Sequence, residues 1–190
     1  MPPIRVGTPQ APPAGAHQIG YGFPVVTTPT PGGVPRLDGN GQMSASFLRK
    51  QAGYQFAYQE FTSPVTISAT ASGSADTIVT APKITTDGFE TIRIEFYAPE
   101  ILITQNASGN ACKVYLFEDG SVIGELGRIR DDSGNNQISA PFNVARQFLS
   151  AKGDRTYSVR AIRSNANATV NAGAGGSTNF MPGFLRIVRV

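Results

Sequence analysis

Thr91-Ile-Arg-Ile-Glu-Phe-Tyr-Ala98 is the stretch that decides the fold. Ile92, Ile94, Phe96 and Ala98 fall on one side of an extended chain and Arg93, Glu95 and Tyr97 on the other, the period of a half-buried β-strand. On its N-terminal side, Thr77–Ala81 closed by Pro82, Val65–Thr70 and Tyr54–Phe61 are further β-rich runs. On its C-terminal side, Lys113–Phe117 and Ser121–Leu126 flank Asp119-Gly120, which supplies the positive φ that a tight hairpin requires. A polar loop, Arg130–Asn136, leads to a strand near Ile138–Val144, with Asn143–Ser150 also compatible with one helical turn. Thr156–Ile162, Ala168–Asn171 and Phe184–Val190 complete roughly nine strands. Short strands separated by frequent turn signals predict an all-β fold, an antiparallel β-sandwich.

Ahead of these strands the composition changes. Nine of the 14 prolines lie in residues 1–53, and so do Arg5, Arg36, Arg49 and Lys50 against the single acid Asp38. That segment therefore holds the whole formal charge of +3, and residues 54–190 are neutral. Its apolar residues show neither a period of 2 nor of 3.6, so alone it buries too little surface to offset the entropy of ordering. Residues 1–53 are read as an extended attachment arm, with Ile4, Val6, Ile19, Tyr21, Phe23, Val25, Val26 and Leu37 as anchors for a partner's groove. Residues 54–190 are read as one sandwich domain.

The function classes narrow by elimination. Basic residues are scattered singly among acids, which argues against a nucleic-acid partner. No apolar run reaches 18 residues, so no membrane-crossing helix is expected, and the N-terminus lacks the apolar centre of a signal peptide. His17, the one histidine, sits in the arm without a rigid scaffold, and Cys112 at a strand entrance reads as a small buried apolar residue. Glu118 and Asp119 belong to turn chemistry. Asp131, Asp132 and Asn135 read as a solvated loop rather than a Ca²⁺ site, because no repeated Asp-x-Asp pattern is present. Ala172–Gly176 lacks the Lys-Ser/Thr of a phosphate loop and precedes a strand. No catalytic residue, metal or cofactor is expected. Tyr54, Phe56, Tyr58 and Phe61 read as packing residues, Phe56 and Tyr58 sharing one face.

Two strands, Val114–Phe117 and Phe184–Val190, are apolar on both faces. A sandwich buries one face of each sheet, so the second face needs a cover that another subunit would supply, and the final strand suggests a chain end packed inside.

Ala57–Thr70, Ile92–Glu100, the x-Asp-Gly-x-x-Ile-Gly hairpin within Val114–Leu126, and Tyr157–Ala161 with Ala168–Gly176 and Pro182–Val190 resemble trimeric TNF/C1q-like jelly-roll domains of tailed-bacteriophage structural proteins. The resemblance implies a homotrimer about a threefold axis, with Tyr115, Phe117, Leu185 and Ile187 at the interface, and an N-terminal tether. It implies no catalytic residues. The expected function is a virion structural protein assembled in the host bacterial cytoplasm, a capsid decoration or head-fibre protein whose arm binds the major capsid protein. The alternative is a tail-fibre or baseplate component, bound to a tail or connector protein, whose trimer tip contacts a host glycan or protein through the loops 104–111, 130–136 and 164–180.

Overall fold

The computed structural model describes residues 52–190 apart from 105–108, 132–136, 166 and 178, together with the backbone of three short strands nearer the N-terminus. The chain divides into two compact units, Met1–Gln51 and Ala52–Val190. In the first unit β1 (His17–Ile19) pairs antiparallel with β2 (Phe23–Val26), which pairs in parallel with β3 (Val34–Pro35). These strands are too short for periodicity to register, so the reading of a wholly irregular arm missed them. Among the expected anchors, Ile19, Phe23, Val25 and Val26 lie in β1 and β2. Ile4, Val6, Tyr21 and Leu37 lie outside the described residues.

The second unit is an antiparallel β-sandwich with jelly-roll connectivity. Its strands are β4 (Gln55–Phe61), β5 (Val65–Ile67), β6 (Asp76–Thr80), β7 (Ile84–Thr86), β8 (Thr91–Ile103), β9 (Asn110–Glu118), β10 (Ser121–Asp131), β11 (Ile138–Leu149), β12 (Gly153–Arg155), β13 (Tyr157–Arg163), β14 (Ala168–Asn171) and β15 (Gly183–Arg189). One sheet has the order β10-β9-β13-β6. The other is built around β8, with β11 along one edge and β15 and β14 end to end along the other. β4 and β5 then lie outside β15 and β14. The chain passes repeatedly from one sheet to the other, so neighbours in sequence seldom remain in one layer. Asn143–Ser150 is strand rather than helical turn, most of it inside β11.

The alternation that opens the sequence is kept. Ile92, Ile94, Phe96 and Ala98 are essentially inaccessible to solvent and form the middle of the core with Val114, Val159, Leu185 and Ile187. Sequence reasoning ended this strand at Ala98, yet β8 runs 13 residues in all, to Ile103. The register against β11 shifts between Ala140 and Phe142, and Pro99 lies between the stretches paired to β15 and to β14, where no ladder donor is needed. The shift also changes the phase, so Ile101 and Ile103 continue the buried row.

The β9–β10 turn forms as its sequence requires. Asp119 (φ 48°) and Gly120 (φ 83°) both take the left-handed region. The Asp119 carboxylate accepts from Thr156 N at 2.9 Å and pairs with Arg155 Nη1 at 3.2 Å, tying the turn to the start of β13.

Candidate functional site

Among the described residues, three surface features outside the core face solvent. The first lies on the outer face of the β8-centred sheet. Phe184 of β15 is flanked by Tyr58 of β4 and Tyr97 of β8, with ring centroids 5.6 and 5.7 Å away and interplanar angles of 31° and 35°. The register explains the row: Phe184 sits opposite Tyr97, and Arg186, two residues on, sits opposite both Tyr58 and Glu95. Glu95 is held between two cations, with Arg93 Nε at 2.7 Å and Arg186 Nη2 at 2.5 Å. Tyr58 donates to Glu60 Oε1 at 2.7 Å, and this bond to a carboxylate raises the phenol above its ordinary value, with burial a second cause. Asn143 of β11 continues the row beyond Tyr97. The result is a broad surface of three tilted rings beside a closed Arg–Glu–Arg group, with Tyr58 still 40% exposed.

The second group lies where the edge strands β10 and β11 of the two sheets meet. A cavity of about 190 Å³ opens there, lined by Leu116, Ile123, Leu126 and Phe148 with Glu125 and Arg146 at its rim. Arg146 Nη2 donates to Leu126 O at 3.2 Å and bridges the sheets across the gap. Val122, Ile123 and Leu149 are large apolar side chains left exposed on these two strands. A wider cleft of about 490 Å³ lies between the β4–β5 turn and the loop after β14, walled by Thr62, Pro64, Ala174, Asn179 and Phe180. The loop is tightly turned: a Cβ at Gly173 would stand 2.6 Å from Phe180 O, and Gly175 N donates to that same oxygen at 2.9 Å.

A scan of protein-family models and a search of curated proteins each return no match. Among solved structures, the chain is similar to the sugar-binding EclA C-terminal domain at 16% identity and TM-score 0.31, covering 60% of this chain and 77% of that one. It is similar to a family 35 carbohydrate-binding module from Clostridium thermocellum at 6% identity and TM-score 0.29, covering 72% and 98%. It is also similar to the structure of infectious bursal disease virus, Gt strain, at 13% identity and TM-score 0.24, covering 73% and 34%. Values this low assign the chain to none of these groups.

The residues singled out from sequence fall in different places. Leu185 and Ile187 point between the sheets and are fully buried in one chain, so they offer no surface to a threefold interface. Phe117 faces outward, but its cover is internal: the Arg160 guanidinium stands 4.3 Å from its ring centroid, and Ile162 and Ala75 cluster with it. Tyr115 packs at the border of that cluster and keeps partial exposure. On β15 the outward residues are Phe184 and Arg186, one step out of phase with the pair expected from hydrophobicity alone.

Phe56 and Tyr58 do not share a face. β4 carries one residue more than β15 between Ala57 and Gln55, which places Phe56 in a bulge against the core and leaves Tyr58 outside. Phe61 turns inward and stacks on Phe96 at 6.1 Å. Glu118 accepts from Tyr157 and pairs with Arg155, so the Glu118/Asp119 pair is structural. Cys112 is buried and its thiol is pushed up to about 12 by desolvation. Asp131 is the last residue of β10 and is fully buried, which corrects the reading of a solvated loop acid; Asp132 and Asn135 lie outside the described residues. The side chain of His17 is likewise undescribed. Among the described residues no three His, Cys, Asp or Glu side chains cluster as metal ligands would.

Proposed function

We propose that the chain is a virion structural protein of a tailed bacteriophage, a capsid decoration or head-fibre protein whose sandwich trimerises and whose N-terminal unit attaches it to the major capsid protein. The observation that carries this reading is the pairing of two unlike surfaces on one sandwich. The aromatic row Tyr58–Phe184–Tyr97 lies on a sheet face, whereas the apolar mouth around Ile123 and Phe148 lies at a sheet edge. Two unlike patches on different parts of the sandwich are suited to a head-to-tail contact, and a head-to-tail contact that closes makes a ring. Edge-to-face packing about a threefold axis fits the TNF/C1q-like resemblance and moves the expected interface from Leu185 and Ile187 to their outward neighbours. Aromatic rings and arginine are the groups that most often anchor such contacts.

The test is the mass of the full chain in solution by light scattering. A trimer supports the reading and a monomer at micromolar concentration overturns the architecture. Removing residues 1–51 is expected to leave the trimer folded while abolishing binding to purified particles; retained binding refutes attachment through that unit.

A second reading is favoured by the cleft beside Phe180 and Asn179. Its volume suits a small ligand, and an exposed ring beside an amide is suited to stacking and hydrogen-bonding a sugar. In that reading the protein is a tail-fibre or baseplate component that binds a host glycan. Specific glycan-array signal that disappears in Phe180→Ala would move the assignment to this alternative.

A further inference from the structure

Given the head-to-tail trimer proposed above, we infer that Tyr58 of one copy seats in the cavity between β10 and β11 of the next, with Glu60 pairing to Arg146 across the contact. In the run β4-β15-β8-β11, β4 and β11 are opposite edges, three strand spacings or about 14 Å apart. The register places Tyr58 opposite Arg186, Arg186 opposite Glu95, and Glu95 opposite Ala145, the neighbour of Arg146. Ring and guanidinium therefore stand at one height along the strands, at opposite edges. A closed ring is generated by rotation alone, whereas an offset along the axis gives an open filament. Patches level with each other meet that condition for an axis running along the strands.

The charges at the two edges are complementary. Glu60 is exposed, and among the described residues its carboxylate accepts only from Tyr58, at 2.7 Å. Arg146 is also exposed, and its guanidinium donates to Ala145 O at 2.9 Å and Leu126 O at 3.2 Å. Neither residue takes part in a salt bridge among the described residues. A guanidinium has five N–H donors, so the two carbonyls fix Arg146 at the rim and leave donors for a carboxylate.

Each charge adjoins apolar surface that needs a cover. The exposed ring of Tyr58 stands beside Glu60, and the walls Leu116, Ile123, Leu126 and Phe148 lie beneath Arg146. At about 190 Å³ the cavity is smaller than the roughly 300–1,000 Å³ of small-molecule pockets, which favours a single side chain as its occupant. An apolar ring with a polar tip matches a cavity that is apolar within and cationic at its mouth.

The experiment follows the monomer–trimer midpoint of the full chain by sedimentation equilibrium, with circular dichroism as the check on folding. Glu60→Arg and Arg146→Glu each set like charges against each other and are expected to raise the midpoint at least about tenfold. The double variant restores an opposite pair and is expected to return the midpoint to within about threefold of the parent. Ile123→Trp, at an exposed position on the cavity wall, blocks the seat without altering charge and is expected to raise the midpoint with the fold unchanged. Should Arg146→Glu fail to fold because it loses its hold on both sheets, Glu60→Arg and Ile123→Trp decide. A monomeric parent refutes the head-to-tail reading and this pairing with it. A trimeric parent whose midpoint is unmoved by Glu60→Arg and Ile123→Trp, or a folded double variant no tighter than the weaker single one, overturns the pairing and leaves the trimer standing.

Discussion

Replacing Tyr58 by alanine separates the proposed assembly from the stability of the sandwich. A fully covered tyrosine buries about 200 Å², so the 40% of Tyr58 still exposed leaves about 80 Å² for a neighbouring subunit. At about 25 cal/mol per Å² this area contributes about 2 kcal/mol per interface. A closed trimer has three equal interfaces, so Tyr58→Ala removes about 6 kcal/mol, roughly 10⁴ in the overall association constant. The midpoint concentration of a monomer–trimer equilibrium varies as the inverse square root of that constant, which gives a rise of about 100-fold. Within one chain the loss is small, because Tyr58 makes one tilted ring contact with Phe184 and one exposed hydrogen bond to Glu60, together about 0.5–1.5 kcal/mol. Sedimentation equilibrium over a concentration series measures the midpoint, and thermal melting checks the fold. Gln59→Ala, at an exposed neighbour on the same strand, is the control. A Tyr58→Ala midpoint within about threefold of the parent, or a Gln59→Ala shift of the same size, would refute the assignment of this face.

Other consequences of the packing can be checked singly. Gly183→Ala places a methyl group on the Phe61 ring and 2.9 Å from Tyr97 O, so chemical denaturation should show a loss of about 1–3 kcal/mol; an unchanged midpoint would mean that β15 and β4 pack differently. Burial works to raise the Asp76 carboxyl, but hydrogen bonds from Ala69 N, Ser68 N and Ser68 Oγ together outweigh it and hold the group below its ordinary 3.8. Because the folded value is the lower one, this contribution is present above pH 3.8 and is lost as pH falls through the folded value. Asp76→Asn should therefore flatten the acid limb of a stability–pH curve, and an unaltered limb would count against it. Cys112, with its thiol pushed up to about 12, should resist alkylation in the native protein at pH 8 and react only on unfolding, so rapid native labelling seen by mass spectrometry would contradict its burial.

The strands were legible in the sequence wherever alternation ran unbroken, as in Thr91–Ala98, and where turn chemistry was explicit, as at Asp119-Gly120. The candidate surfaces were legible only as an excess of apolar residues on doubly apolar strands. At Phe117 that excess is absorbed by Arg160 and Ile162 of the adjacent strand, whereas at Phe184 it is not, and no local pattern distinguishes the two cases. The bulges at Phe56 and beyond Ala98 depend on partner strands more than 40 residues away in the first case by far, and on Ile138–Leu149 in the second, so their shifts of phase leave no trace in a window of ten residues.

By itself the sequence determined the β-class, the approximate strands, the β9–β10 turn and the change in composition near residue 53, because these follow from side-chain period, backbone preference and charge. Only the tertiary structure decided which of two apolar faces is the inside. It turned Leu185 and Ile187 inward, left Tyr58, Tyr97 and Phe184 outside, and enclosed Asn110 and Asp131 at the end of the core. Burial belongs to pairs of strands and sheets, and the register that sets it is fixed by partners distant in the chain.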